Sequence, residues 1–136
     1  MANNSNFSSN FSNTTSYIDI LSSRSDSINI LVTSQSGGTT TTYTNYYARY
    51  FYLGNLLIQF SDIANGIPTE IPKQATATIY FPISFSGKPY CVMLTSGQSD
   101  GGGNSPATLN TINNNRFTCN IGNNDASILF FAIGPR

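Results

Sequence analysis

At 136 residues and 14.7 kDa the chain is the size of one domain, with room for an added arm but not for a second domain. Charged residues make up 9%, six of each sign, which leaves no long-range field to draw the chain to nucleic acid or acidic lipid. Histidine is absent, which excludes Ser-His-Asp and Cys-His catalysis and removes the commonest transition-metal ligand.

The first segment, residues 1–16, is "MANNSNFSSNFSNTTS", a low-complexity stretch in which "NFS" recurs four residues apart. Its composition predicts an extended or flexible arm, or an arm ordered on another subunit with Phe7 and Phe11 as anchors. The sequons at Asn3, Asn6, Asn10 and Asn13 are what so Asn- and Ser-rich a segment produces by chance. "YIDIL" (17–21) and "INILVT" (28–33) alternate as two short strands, and "SQSGGTTTT" (34–42) reads as a loop or hinge. Residues 1–42 are therefore expected to form an arm or attachment segment with one or two short strands, and 43–136 a β-domain.

From Tyr43 the apolar pattern becomes denser. "YTNYYARYFYLGNLLIQFSDI" carries two strands split at Gly54-Asn55, a pair suited to a tight hairpin turn. The proline-punctuated loop "GIPTEIPKQ" (66–74) follows, then the strands "ATATIYF" (75–81), "PYCVMLTS" (89–96), "ATLNTI" (107–112), "RFTCNI" (116–121) and "SILFFAIG" (127–134). Between two of them, "YFPISFSGKPY" bends the chain, with Pro82 and Pro89 at strand boundaries where a missing N–H is tolerated. Hydrophobic residues reach 39%, with eight Tyr and nine Phe, enough for a packed core. Helix formers are scarce beside Thr, Ile, Tyr and Phe. Short strands separated by turn signals predict an all-β fold, a small antiparallel β-sandwich.

The failures of alternation are informative. "RYFYL", "NLLIQF" and "SILFFAI" are apolar on both faces, whereas an antiparallel sandwich normally keeps one face of each sheet polar. In a chain this short, the second face is expected to meet another copy of the chain. Cys91 and Cys119 do not make a disulfide framework. Each lies in an apolar strand-like run, where a free thiol acts as a small hydrophobe. No stretch approaches the ~20 apolar residues of a membrane span. The N-terminus has neither the positive nor the apolar region of a signal peptide, so a role outside a cell implies release by lysis or as part of a particle.

Candidate chemistry is sparse. Glu70 is the only glutamate and its loop holds no acidic partner. Asp100 and Asp125 both fall in loops, but a glycosidase pair needs a cleft and one raised pKa, which nothing in the sequence indicates. "DGGGN" (100–104) lacks the spacing of a calcium loop and precedes no helix that would make it a phosphate loop. The expectation is a protein that is not an enzyme, with no cofactor and no metal. What remains is binding. The loops "GQSDGGGNSP" (97–106) and "IGNNDA" (121–126) present Gln98, Asp100, Asn104, Ser105, Asn123, Asn124 and Asp125. Amides and carboxylates of this kind hydrogen-bond sugar hydroxyls; they are equally the material of ordinary solvated turns, and residue type does not separate the two.

The order "GNLLIQFSDI" (54–63), "ATIYFPISFSGKPYCVMLTS" (77–96), "RFTCNIG" (116–122) and "ILFFAIGPR" (128–136) resembles bacteriophage tail-fibre tip domains of the gp53-like C-terminal family, related in shape to H-type lectin modules. The likeness spans residues 52–136, and the FP/PY unit and "FFAIG" are its most specific parts. Phe60 stands where that pattern commonly has tryptophan, and Phe130-Phe131 replaces a Tyr-Trp-like pair. The resemblance implies a β-sandwich forming a homotrimer at the distal end of a fibre, with loops that contact a host cell-surface glycan or protein. Residues 1–42 would then attach it to another virion or fibre protein, and its place would be the virion, extracellular on release. The alternative is a structural virion component, a decoration or minor capsid or fibre protein that binds no host receptor.

Overall fold

The computed structural model describes residues 24–34, 38–62, 71–97 and 107–136. The expected strand at 17–21 lies outside them. Eight strands follow in chain order: β1 (Arg24–Ser34), β2 (Thr40–Leu53), β3 (Leu56–Ser61), β4 (Ala75–Tyr80), β5 (Cys91–Gly97), β6 (Ala107–Ile112), β7 (Arg116–Ile121) and β8 (Ser127–Pro135). All pair antiparallel in one sheet of order β5-β8-β3-β2-β1-β4-β7-β6. Strand β1, expected from the sequence to belong with the arm, instead occupies the middle of this sheet, between β2 and β4. Its alternating Ile28, Ile30 and Val32 are all buried, so it is part of the core rather than an attachment. Thr40, Thr41 and Thr42, expected in the hinge, begin β2 for the same reason: they pair with Thr33, Val32 and Leu31.

The sheet folds over on itself. Strands β7 and β8 are five positions apart in the order, roughly 24 Å in a flat sheet at ~4.8 Å per strand. The rings of Phe117 on β7 and Phe130 on β8 nevertheless lie 5.4 Å apart. The register between β1 and β2 shifts between Ile28 and Ile30, a bulge that sharpens local twist in the central pair of the sheet. The result is a sandwich with β5-β8-β3-β2 as one layer and β1-β4-β7-β6 as the other. Between them Phe81 meets Phe85, Phe117 and Phe130 at centroid distances of 5.1, 5.6 and 5.9 Å. Each such ring, fully buried, stabilises the fold by up to about 3 kcal/mol through removal from water.

Gly54 and Asn55 join β2 to β3 with Leu53 paired to Leu56, a two-residue loop. Gly54 has φ +59°, the conformation a type II′ hairpin needs at its first central position. The FP/PY bend is held by backbone and side chain together. Phe81 and Phe85 donate their N–H groups to Asn115 and Asn114 O, and Ser86 donates to Pro135 O. The Gln59 side chain, fully buried, donates from Nε2 to Ile83 O at 2.8 Å and accepts from Ile83 N at 2.9 Å. One amide thus substitutes for a missing neighbouring strand. Gly134 lies beneath the bend: a Cβ there would stand 2.7 Å from Phe85 Cδ1 and 2.9 Å from Pro89 Cα, so only glycine fits. This accounts physically for the glycine in "FFAIG".

The buried polar groups are paired. Ser61 Oγ accepts from Phe130 N at 2.8 Å and lies 3.4 Å from Tyr46 Oη. Burial raises the Tyr46 phenol well above its ordinary value, with the Ser61 hydrogen bond partly opposing it and Cys119 adding slightly. Burial likewise pushes the Cys119 thiol up to about 12, so it behaves as the inert hydrophobe its strand pattern suggests. Cys91 departs from that expectation. Both thiols are free, but Cys91 is exposed, on the outside of β5.

Candidate functional surfaces

Two surfaces stand out, one at an end of the sandwich and one on its side. The end is made by connections. Strand β1 runs from Arg24, opposite Tyr50 near the Gly54–Asn55 hairpin, to Ser34, opposite Ala75. The chain therefore enters β1 from the hairpin end. Strands β1, β3, β5 and β7 all end, and β2, β4, β6 and β8 all begin, at the other end.

At this far end, register sets the two strand ends that flank residues 98–106 beside the loop 121–126. Gly97, where β5 stops, pairs with Ser127, and Ala107, where β6 starts, pairs with Ile121. The connection that carries Gln98, Asp100, Asn104 and Ser105 therefore departs and returns on either side of residues 122–126. Those four residues themselves lie outside the described residues. Asn123, Asn124 and Asp125 are described and exposed. Asp125 also holds the local structure together, since its Oδ1 accepts from Lys73 N at 2.8 Å. Gln74 N donates to Gly122 O, and Ile71 and Ala126 exchange both backbone hydrogen bonds. Pro72, Lys73 and Gln74 are thereby stitched beside Asn123 and Asn124 and are exposed with them. Gln74 adopts φ +56°, unusual for a residue other than glycine. Residues 72–74 were not singled out from the sequence; their signal was only the proline-punctuated loop. Among the described residues the rim offers amides, one ammonium (Lys73) and one carboxylate (Asp125) that is already hydrogen-bonded. Among the described residues, no three His, Cys, Asp or Glu side chains gather as a metal site.

The second surface is the outside of the β5-β8-β3-β2 layer. Its side chains line up in rows across the strands, set by register. Nearest the hairpin are Leu53, Leu56 and Pro135; then Phe51, Ile58, Ile133 and Cys91; then Arg49, Phe60, Phe131 and Met93. Met93 is 57% exposed, Leu53 41% and Phe131 37%, while Phe51 and Phe60 half-bury each other edge to face at 6.3 Å. At the margin, Arg49 Nε donates to Asp62 Oδ2 at 2.8 Å, and the Asp62 side chain is almost wholly buried. The three segments whose alternation fails in the sequence, within β2, β3 and β8, are thus neighbours in one layer. Their outward sides form one apolar field.

The outside of the other layer differs. Thr33, Thr76, Asn120 and Thr108 form one row and Leu31, Thr78, Thr118 and Thr111 the next, the two rows being continued onto the start of β2 by Thr40 and Thr42. Hydroxyls link across the strands: Thr76 Oγ1 donates to Asn120 Oδ1 at 3.0 Å, and Thr111 and Thr118 Oγ1 lie 2.6 Å apart.

No curated protein matches the chain. Solved structures similar to it include an N-truncated R2-type pyocin tail fibre, and the C-terminal residues 323–691 of the R2 pyocin fibre of P. aeruginosa. Each is 17% identical with a TM-score of 0.48, over 76% of this chain. The match covers 37% of the first fibre chain and 25% of the second, so this chain spans only a minor part of either. The family model for the C-terminal part of gp53-like tail fiber proteins matches residues 52–135, which takes in the end of β2 and every strand from β3 to β8. With more than half its length in that match, the chain belongs to the gp53-like C-terminal tail-fibre family and is a fibre component of the virion.

Proposed function

We propose that this chain is the receptor-binding tip of its fibre, working as a homotrimer and by binding rather than by catalysis. The observation that carries this reading is polarity. The chain enters β1 at the hairpin end, and the rim built from residues 71–74, 122–126 and the ends of β5 and β6 lies at the opposite end. A fibre attached through the N-terminal residues would present that rim outermost. The rim's neutral amides favour a host-surface glycan, or a protein displaying hydroxyl and amide groups, over a charged polymer.

The test is binding of the labelled full chain to intact host cells and to a glycan array. It is repeated with Gly-Ser replacing residues 98–105 and, separately, with Asn123→Ala and Asn124→Ala. Loss of binding by tenfold or more, with unchanged molecular mass, is the expected result. Undiminished binding in all three variants would sink the rim assignment. Failure of the wild-type chain to bind cells, with retained binding to virion proteins, would leave a purely structural fibre component.

A further inference from the structure

We propose that the outer face of β2, β3, β8 and β5 is where copies of this chain pack, side by side and parallel, around a common axis. The number of copies rests on the fibre-tip reading; the choice of face rests on the structure alone. Among the described residues, an apolar field of this kind occurs on one layer only. By strand spacing it covers on the order of 400 Å², within the size range of the largest patch on a typical monomer, which is often functional.

Charge identifies the occupant as another copy. The described cation on this face, Arg49, is already matched within the chain by the buried Asp62 carboxylate. The face therefore offers a charged partner nothing to complement. A neutral apolar surface is complementary to a second surface of the same kind, and a copy of this chain always supplies one. Polarity sets the arrangement. The rows lie along the side of the sandwich, so copies packed in parallel keep the start of every β1 at one end and every rim at the other. Area argues for more than two copies. A flat pair would bury about half of the ~800 Å² per partner of a standard stable complex. Copies around an axis also cover flanking surface, including the side chains of edge strand β5.

Light scattering on the full chain, combined with thiol kinetics, tests this. Cys91 lies in the row of Phe51, Ile58 and Ile133, whereas Cys119 is fully buried, so a polar maleimide reads the face at Cys91 and unfolding at Cys119. The wild type is expected at three times the 14.7 kDa chain mass, with Cys91 labelled at least tenfold more slowly than in a dissociated variant. Met93→Asp and Leu53→Asp, at opposite corners of the face and both exposed in the single chain, are each expected to lower the mass and speed Cys91 labelling while Cys119 stays protected. Two variants guard against one that fails to fold, which rapid Cys119 labelling would reveal. An assembled wild type whose mass survives both substitutions with Cys119 protected overturns the face. A wild type that is monomeric at micromolar concentration overturns it as well, even if it binds host cells. Dissociation by both substitutions in a chain that never binds cells supports the face and counts against the receptor reading alone.

Discussion

On the outside of one layer Phe51 aligns with Ile58, Ile133 and Cys91; on the outside of the other Thr33 aligns with Thr76, Asn120 and Thr108. The inward sides of the two layers are much alike, with alternate residues of β4, β7 and β8 buried in both. Only the outward sides diverge, because the core imposes the same demand on both layers and the surroundings do not. Threonine is β-branched and suits a strand, and its hydroxyl is satisfied by water or by a neighbour across the ladder. An exposed phenylalanine gains nothing from water. The threonine face is thus suited to stay wet, and the aromatic face is the one proposed to be covered.

The sharpest way to probe this contrast is within β8, where Phe130 points into the core and Phe131 out of it. Phe130→Ala removes a ring packed on Phe81 and Phe117 and is expected to cost about 3–5 kcal/mol in denaturant unfolding. Phe131→Ala should instead weaken assembly, read as a mass that falls on dilution. If both changes cost the same stability and neither alters mass, the two sides of β8 are not different in kind.

Gln59 offers a second test, because it is polar in the layer with the apolar exterior. Gln59→Ala strips both hydrogen bonds from Ile83, and a loss of about 2–3 kcal/mol is expected from the stranded backbone groups. Thermal melting that moves by less than about a degree or two would show that the FP/PY bend does not depend on this amide.

The buried thiol sharpens the comparison from the interior side. Burial lifts Cys119 from an ordinary 9 to about 12. Its folded value is the higher, so the stabilisation is complete below pH 9 and is lost as pH rises towards 12. Between about pH 9 and 10 the wild type should lose about 1 kcal/mol through this group. Cys119→Ala should flatten that segment of the stability curve. Identical slopes in the two proteins would refute the assignment. The smallest effect is expected on the threonine face. Thr108→Asp, exposed on edge strand β6, should shift stability by less than about 0.5 kcal/mol and leave the assembly mass unchanged.

Much of this was legible along the chain. The strands at 107–112 and 116–121 end where periodicity and turn residues place them, the one expected at 75–81 stops one residue earlier, and Gly54-Asn55 turns the hairpin it was expected to turn. Local preference suffices there, because alternation and a positive φ are properties of a few consecutive residues. The two-faced runs in β2, β3 and β8 were legible as well, as an unmet need for cover. Their adjacency was not, since it depends on pairing Phe60 with Phe131, 71 positions away in sequence. The site was legible as residue types only: nothing near Asp125 announces that its carboxylate holds Lys73 N, 52 positions earlier. Nor does "LLIQF" reveal that its glutamine will serve a bend 24 residues on.

The sequence by itself determined the all-β class, most of the strands though not all their limits, the bend at "YFPISFSGKPY" and the membership of residues 52–135 in a tail-fibre family. Only the tertiary structure decided that β1 closes the middle of the sheet, that one layer carries an apolar exterior, and that the end of β5 and the start of β6 flank residues 122–126 at the end away from the start of β1. The division follows from the range of the forces. Propensity and turn geometry act over a handful of residues, whereas strand order and register are set by burying side chains that lie far apart in the chain.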